Sequence, residues 1–137
     1  MSVSDGRRAR IGIIGTGWWA TFAHLPSLTS YPKAEVVALA DPSAERLAQA
    51  GERFGIGAQF ADYREMLDKV ELDGVVVATP HATHHGIAQD VLSRGLPLML
   101  EKPMVLLNSE SKPTAVLPAP LVRLNRASVP SAVLLPG

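Results

Sequence analysis

Gly12-Ile13-Ile14-Gly15-Thr16-Gly17-Trp18-Trp19-Ala20 is the stretch from which the rest of the chain is read. Arg10 to Ile14 is a short apolar run suited to a buried strand. Gly15, Gly17 and Ala20 then follow at the G-x-G-x-x-G/A spacing of a dinucleotide-binding turn. Each position has a physical task. Gly15 permits the tight strand-to-helix turn, Gly17 lets a pyrophosphate approach the backbone, and the small Ala20 allows the helix to pack closely on the strand. Thr16 and Trp18 complete the turn, and the unpaired N–H groups and dipole of the following helix favour the phosphates.

Working outward, strand and helix signals alternate. Trp18 to Leu28 is expected to be a helix that Pro26 either kinks or restarts. Glu35 to Ala40 is a second apolar strand, ending on Asp41 about twenty residues past the glycine turn, where a carboxylate accepts ribose hydroxyls and disfavours a 2′-phosphate. Asp41-Pro42-Ser43 also suits a helix-capping turn, and the two readings are compatible. Ser43 to Phe54 is expected to be helical, packing through Leu47, Ala48, Ala50 and Phe54 and stopping at Gly55. A brief strand near Ala58 to Phe60 precedes a short helix opened by Asp62 and Glu65 as a capping box. Leu72 to Ala78 is the clearest buried strand. Its β-branched run fits a parallel sheet covered on both faces, and the alternating order predicts a doubly wound, Rossmann-type α/β fold.

Two loops follow at the strand ends where such sheets bind ligands. Thr79-Pro80-His81-Ala82-Thr83-His84-His85 carries three histidines but no carboxylate or cysteine, so no metal site is expected. His81 or His84 is expected to border a cofactor at the start of the next helix, which packs through Ile87, Ala88, Val91 and Leu92. Leu96 to Leu100 then delivers Glu101-Lys102-Pro103 to the same sheet edge. A lysine beside nicotinamide and a substrate hydroxyl is suited to proton transfer, whereas the same pair in an open loop contributes little.

Composition narrows the function classes. The chain has 137 residues, enough for one ordinary domain, and is 47% hydrophobic and 19% charged, as globular proteins are. Thirteen basic and thirteen acidic residues cancel, so no overall positive field draws nucleic acid or an anionic membrane. Without cysteine there is no disulfide framework or thiol nucleophile. Arg7-Arg8-Ala9-Arg10 has the look of a twin-arginine signal, but glycines break the apolar run behind it and cleavage there would remove the first strand. A cytoplasmic location is expected.

Taken together, Gly-Ile-Ile-Gly-Thr-Gly at 12–17, Ala-Asp at 40–41, Val-Val-Val-Ala-Thr-Pro at 75–80, His84 and Glu-Lys-Pro at 101–103 resemble the N-terminal domain of the Gfo/Idh/MocA oxidoreductases. The resemblance covers roughly residues 8 to 107. It implies a Rossmann domain over 9–107 after a flexible N-terminus (1–8), with NAD as cofactor and NADP as the second choice. It also implies that Gly15, Thr16, Gly17, Trp18, Ala20, Asp41, Thr79, Pro80, His84, Glu101 and Lys102 line the dinucleotide, with Lys102 the catalytic group. His81 stands where the family often has asparagine. The family's second domain supplies the sugar- or cyclitol-binding pocket, a further catalytic group and often an oligomer interface.

Residues 111–137 depart from that pattern. They hold no acid and five prolines, Pro113, Pro118, Pro120, Pro130 and Pro136, a density that interrupts helices and sheet pairing. The expectation is an incomplete Rossmann sheet with an irregular proline-rich tail over 108–137, non-native or truncated, and no substrate domain in this chain. On that reading the protein binds a dinucleotide but does not turn over substrate alone. The alternative is a non-catalytic nucleotide-binding or regulatory fragment.

Overall fold

The structure, a computed structural model, describes residues 6–102. The tail expected at 108–137 lies outside the described residues, as do residues 1–5 and 103–107. Among the described residues the strands are β1 (Ala9–Ile14), β2 (Ala34–Ala40), β3 (Gln59–Phe60), β4 (Gly74–Val77) and β5 (Leu98–Leu100). They form one parallel sheet in the order β3-β2-β1-β4-β5. The chain therefore builds outward from β1 to β3, then crosses back to lay β4 on the other side of β1. That reversal leaves a crevice between the carboxyl ends of β1 and β4, the place where open α/β sheets take their ligands.

Both faces of the sheet are covered because neighbouring strand residues point to opposite sides. Ile14, Val75 and Val77 pack with Met66 and Leu67 of α3 (Tyr63–Lys69) and with Ile87 and Val91 of α4 (His81–Ser93). On the other face Ile13, Leu39 and Val76 pack with Ala20, with Leu25 of α1 (Leu25–Ser30), and with Leu47 and Ala50 of α2 (Ala44–Phe54). Each buried Val, Ile, Leu or Met side chain taken from water contributes about 1.5–3 kcal/mol, so the continuous apolar runs stabilise this double layer.

Local signals set most boundaries. Ser43 caps α2 by accepting from the Arg46 N–H, and Gly55 ends it in the left-handed conformation at φ 70°. Ala48, expected to pack, is exposed, because the helical period turns Leu47, Ala50 and Gly51 inward instead. Asp62 caps α3 through the Arg64 N–H, but Glu65 does not complete a capping box and pairs with Lys69 at 2.5 Å. The expected strand 72–78 is shorter at both ends. Asp73 instead accepts the Arg10 N–H at 2.8 Å and both Arg7 guanidinium nitrogens at 3.0 Å, which fastens the described part of the N-terminal segment. No helix among the described residues is long and apolar enough to cross a membrane.

The first helical run differs most from expectation. It opens at Trp18, passes through a π-helical stretch, Ala20–His24, and only then becomes α1, with Pro26 in the first turn. Proline has no N–H to donate and its ring crowds the carbonyl four residues earlier. The wider π turn, closed by the Leu25 N–H on the Ala20 carbonyl, accommodates it without ending the helix.

Gly15 and Gly17 divide the work of the turn. At Gly15, φ is +95° and a Cβ would lie 2.5 Å from the Ala78 carbonyl oxygen, so neither conformation nor space admits a side chain. Gly17 has no positive φ, and a Cβ there would meet nothing within 4 Å. Gly15→Ala is therefore expected to cost at least about 2 kcal/mol in urea unfolding, while Gly17→Ala should be neutral or up to about 1 kcal/mol stabilising. Equal losses at the two positions would contradict this division.

Candidate cofactor site

The glycine turn after β1, the end of β2, the loop after β4 and the end of β5 all lie at the carboxyl edge of the sheet. Gly15 binds the turn down: its N–H donates to the Ala40 carbonyl at 2.8 Å, and the Ala78 carbonyl just past β4 leaves no room for a Cβ. Ala20 is fully buried beneath the turn.

Asp41 joins the turn to β2. It is only 4% exposed, and its two oxygens serve separate neighbours. Oδ2 accepts the Thr16 N–H at 2.8 Å and the Thr16 hydroxyl at 3.0 Å, while Oδ1 accepts the Ser43 N–H at 2.7 Å and the Arg46 guanidinium at 3.2 Å. The capping reading of Asp41-Pro42-Ser43 thus describes half of what the residue does. Burial raises the carboxyl's pKa, but the Thr16 and Ser43 amides, the Arg46 guanidinium and the Thr16 hydroxyl outweigh it and leave it below the ordinary value. Arg46, which sequence reasoning did not single out, is the exposed partner in this set. Its side chain is 56% accessible and can leave Oδ1 without disturbing the buried contacts.

The loop after β4 is held from below. His84 is 1% exposed, and its Nε2 lies 2.7 Å from the Thr79 carbonyl. A carbonyl only accepts, so Nε2 carries a proton, and Nδ1 has no hydrogen-bond partner among the described residues. His84 therefore sets the course of the Thr79-Pro80 turn from within the core. The Thr83 hydroxyl, 2.7 Å from both the Thr79 hydroxyl and the Pro80 carbonyl, holds the same turn from above. His81, exposed, meets His84 edge-on with ring centroids 5.5 Å apart. Among the described residues no three His, Cys, Asp or Glu side chains are grouped to hold a metal ion.

At the far side of the crevice Glu101 extends the pairing of β5, its N–H donating to the Val77 carbonyl at 3.2 Å, and Lys102 follows it, exposed. Trp18, also expected at the cofactor, is 71% exposed and stacks on Phe22 with centroids 5.1 Å apart. Sequence reasoning missed His24, whose Nε2 lies 2.5 Å from Glu101 Oε1, and Trp19, whose ring meets His24 edge to face. Their only sequence signal is Pro26.

A sheet in this order, with this turn at its reversal point, also has a family. A family model described as "Oxidoreductase family, NAD-binding Rossmann fold" (GFO_IDH_MocA) matches residues 9–116. The chain belongs to the Gfo/Idh/MocA oxidoreductases. The matched segment is that family's NAD-binding Rossmann domain, as the fivefold motif resemblance implied. The chain is 35% identical to the rhizopine catabolism protein MocA of Rhizobium meliloti, over 79% of this chain and 33% of that protein. It is 30% identical to scyllo-inositol 2-dehydrogenase (NAD(+)) of Bacillus subtilis, over 77% of this chain and 31% of that protein. Among solved structures, GenD2 from gentamicin A biosynthesis in complex with NAD superposes with a TM-score of 0.68 at 31% identity, covering 73% of this chain and 28% of that one. The chain thus spans about a third of the length of the curated Gfo/Idh/MocA relatives it matches.

The Asp41 contacts set a pH dependence. A carboxyl whose pKa is lower folded than unfolded adds stability above its unfolded value, about 4, and loses it as pH falls through the folded value. Wild-type unfolding free energy is expected to decline below about pH 4, with Asp41→Asn less stable at neutral pH by on the order of 1–3 kcal/mol and declining less steeply in acid. Urea titrations across that range give both slopes, and parallel curves would count against the assigned contacts.

Proposed function

We propose that the crevice between β1 and β4 takes NAD along its length: the pyrophosphate over Gly15-Thr16-Gly17 and the helix that opens at Trp18, the adenosine ribose at Asp41, and the nicotinamide against Thr79-Pro80 and Lys102. The observation that carries this reading is the open space above Gly17. A Cβ there would meet nothing within 4 Å, although the neighbouring Gly15 is wedged against Ala78. A bare backbone facing an empty approach at a sheet's reversal point is what a pyrophosphate requires. At Asp41 the buried oxygen stays on Thr16, and the Arg46 guanidinium yields Oδ1 to the ribose hydroxyls.

In combination with a substrate domain such as the longer relatives have, the expected reaction interconverts a sugar or cyclitol hydroxyl and a ketone. The nicotinamide supplies the hydride acceptor or donor at C4. Lys102 Nζ would hold the substrate oxygen and move its proton, and the Thr79-Pro80 turn, braced by His84 and Thr83, would fix the ring opposite it. For the Rossmann domain itself the reading is dinucleotide binding.

Calorimetric titration of the 137-residue chain with NAD tests the binding directly. Wild type should bind. Gly17→Val should weaken binding at least about tenfold by occupying the pyrophosphate approach, while Lys102→Ala should retain affinity to within about fivefold. No heat from wild type, or equal affinity in Gly17→Val, would overturn the proposal.

A further inference from the structure

Every acceptor position on Asp41 is already taken. A carboxylate offers about four lone-pair sites. Here the Thr16 amide and hydroxyl, the Ser43 amide and the Arg46 guanidinium occupy them. A ribose hydroxyl can therefore be accepted only if one of these donors leaves. Two belong to Thr16, which is 2% exposed, and the third is a backbone amide in the capping turn. The last, Arg46, is the exposed end of a long side chain, and it is the one that can move.

Arg46 meets Asp41 through Nη2 alone, at 3.2 Å, so among the described residues its Nε and Nη1 have no hydrogen-bond partner. A guanidinium with two nitrogens to spare presents the fork that takes two oxygens of a phosphate. The Ser43 hydroxyl, partly exposed, accepts the Arg46 amide at 3.4 Å, and its own proton has no acceptor among the described residues. Glu45, the acid in the same first turn, is engaged by Gln49 at 3.3 Å, a turn further along α2. Once displaced from Oδ1, the Arg46 cation stays tethered beside the ribose, where NAD carries a 2′-hydroxyl and NADP a 2′-phosphate.

We propose that Arg46 is a specificity-determining residue for the cofactor: it opens to NADP a ribose site that Asp41 would otherwise reserve for NAD. This rests on the NAD reading above. With NAD, the ribose hydroxyls take Oδ1 and the guanidinium is released to water, losing its ion pair. With NADP, the displaced guanidinium turns onto the 2′-phosphate instead. One charge-assisted contact then replaces another, and the cation offsets the repulsion between phosphate and carboxylate. Arg46 thus competes weakly with NAD and supports NADP.

Calorimetric titration of the full chain with NAD and with NADP, wild type against Arg46→Ala, tests this. Arg46 is exposed and alanine is the best helix former, so the variant should fold as wild type does. Wild type should bind both nucleotides. Arg46→Ala should weaken NADP at least about tenfold, the equivalent of one charge-assisted hydrogen bond, while NAD affinity should hold or rise by up to about threefold as its competitor for Oδ1 is removed. A residue that merely held Asp41 in place would affect both nucleotides alike, so equal losses overturn the proposal. A wild type that binds NAD but not NADP also overturns it and leaves the NAD reading standing. A wild type that binds neither defeats that reading and this proposal together.

Discussion

The contact between Gly15 and the Ala78 carbonyl governs the architecture of this domain. It is where β1 and β4, distant in sequence and adjacent in space, are drawn together at their carboxyl ends, and a Cβ there would lie 2.5 Å from the carbonyl oxygen. From that point the chain turns into the first helix, the Thr16 amide meets Asp41, and the crevice acquires its floor. A larger residue at 15 would shift the turn and loosen both neighbouring strand ends.

Around this point the carboxyl edge is organised by two carboxylates and a histidine. Asp41 fastens the glycine turn to β2. His84 holds the loop after β4 through the Thr79 carbonyl. Glu101, at the end of β5, meets the first helix at His24. Groups that satisfy backbone donors and acceptors thereby space the loops facing the crevice, so shape and electrostatics have one origin.

Much of this was legible from sequence, for reasons that differ by residue. Gly15, Gly17 and Ala20 are informative because a tight turn and close packing leave few residue types acceptable. The Val75 to Val77 run is informative because a strand buried on both faces needs continuous apolar residues. What escaped depends on register and long-range contact. The π-helical stretch follows from Pro26 but cannot be told from a simple kink without the hydrogen bond to Ala20. The meeting of His24 with Glu101 joins residues from two separate elements. Arg46 reads as an ordinary helix-surface arginine until Asp41 is seen beneath it.

Amide chemical-shift mapping of the full chain during NAD addition is the most direct test that these separate loops form one cofactor site. Shifts concentrated at residues 15–20, 41–46, 79–84 and 101–102, with the exposed face of α2 around Ala48 unmoved, are the predicted result. Saturable shifts on another face of the sheet, with the glycine turn unaffected, would contradict it.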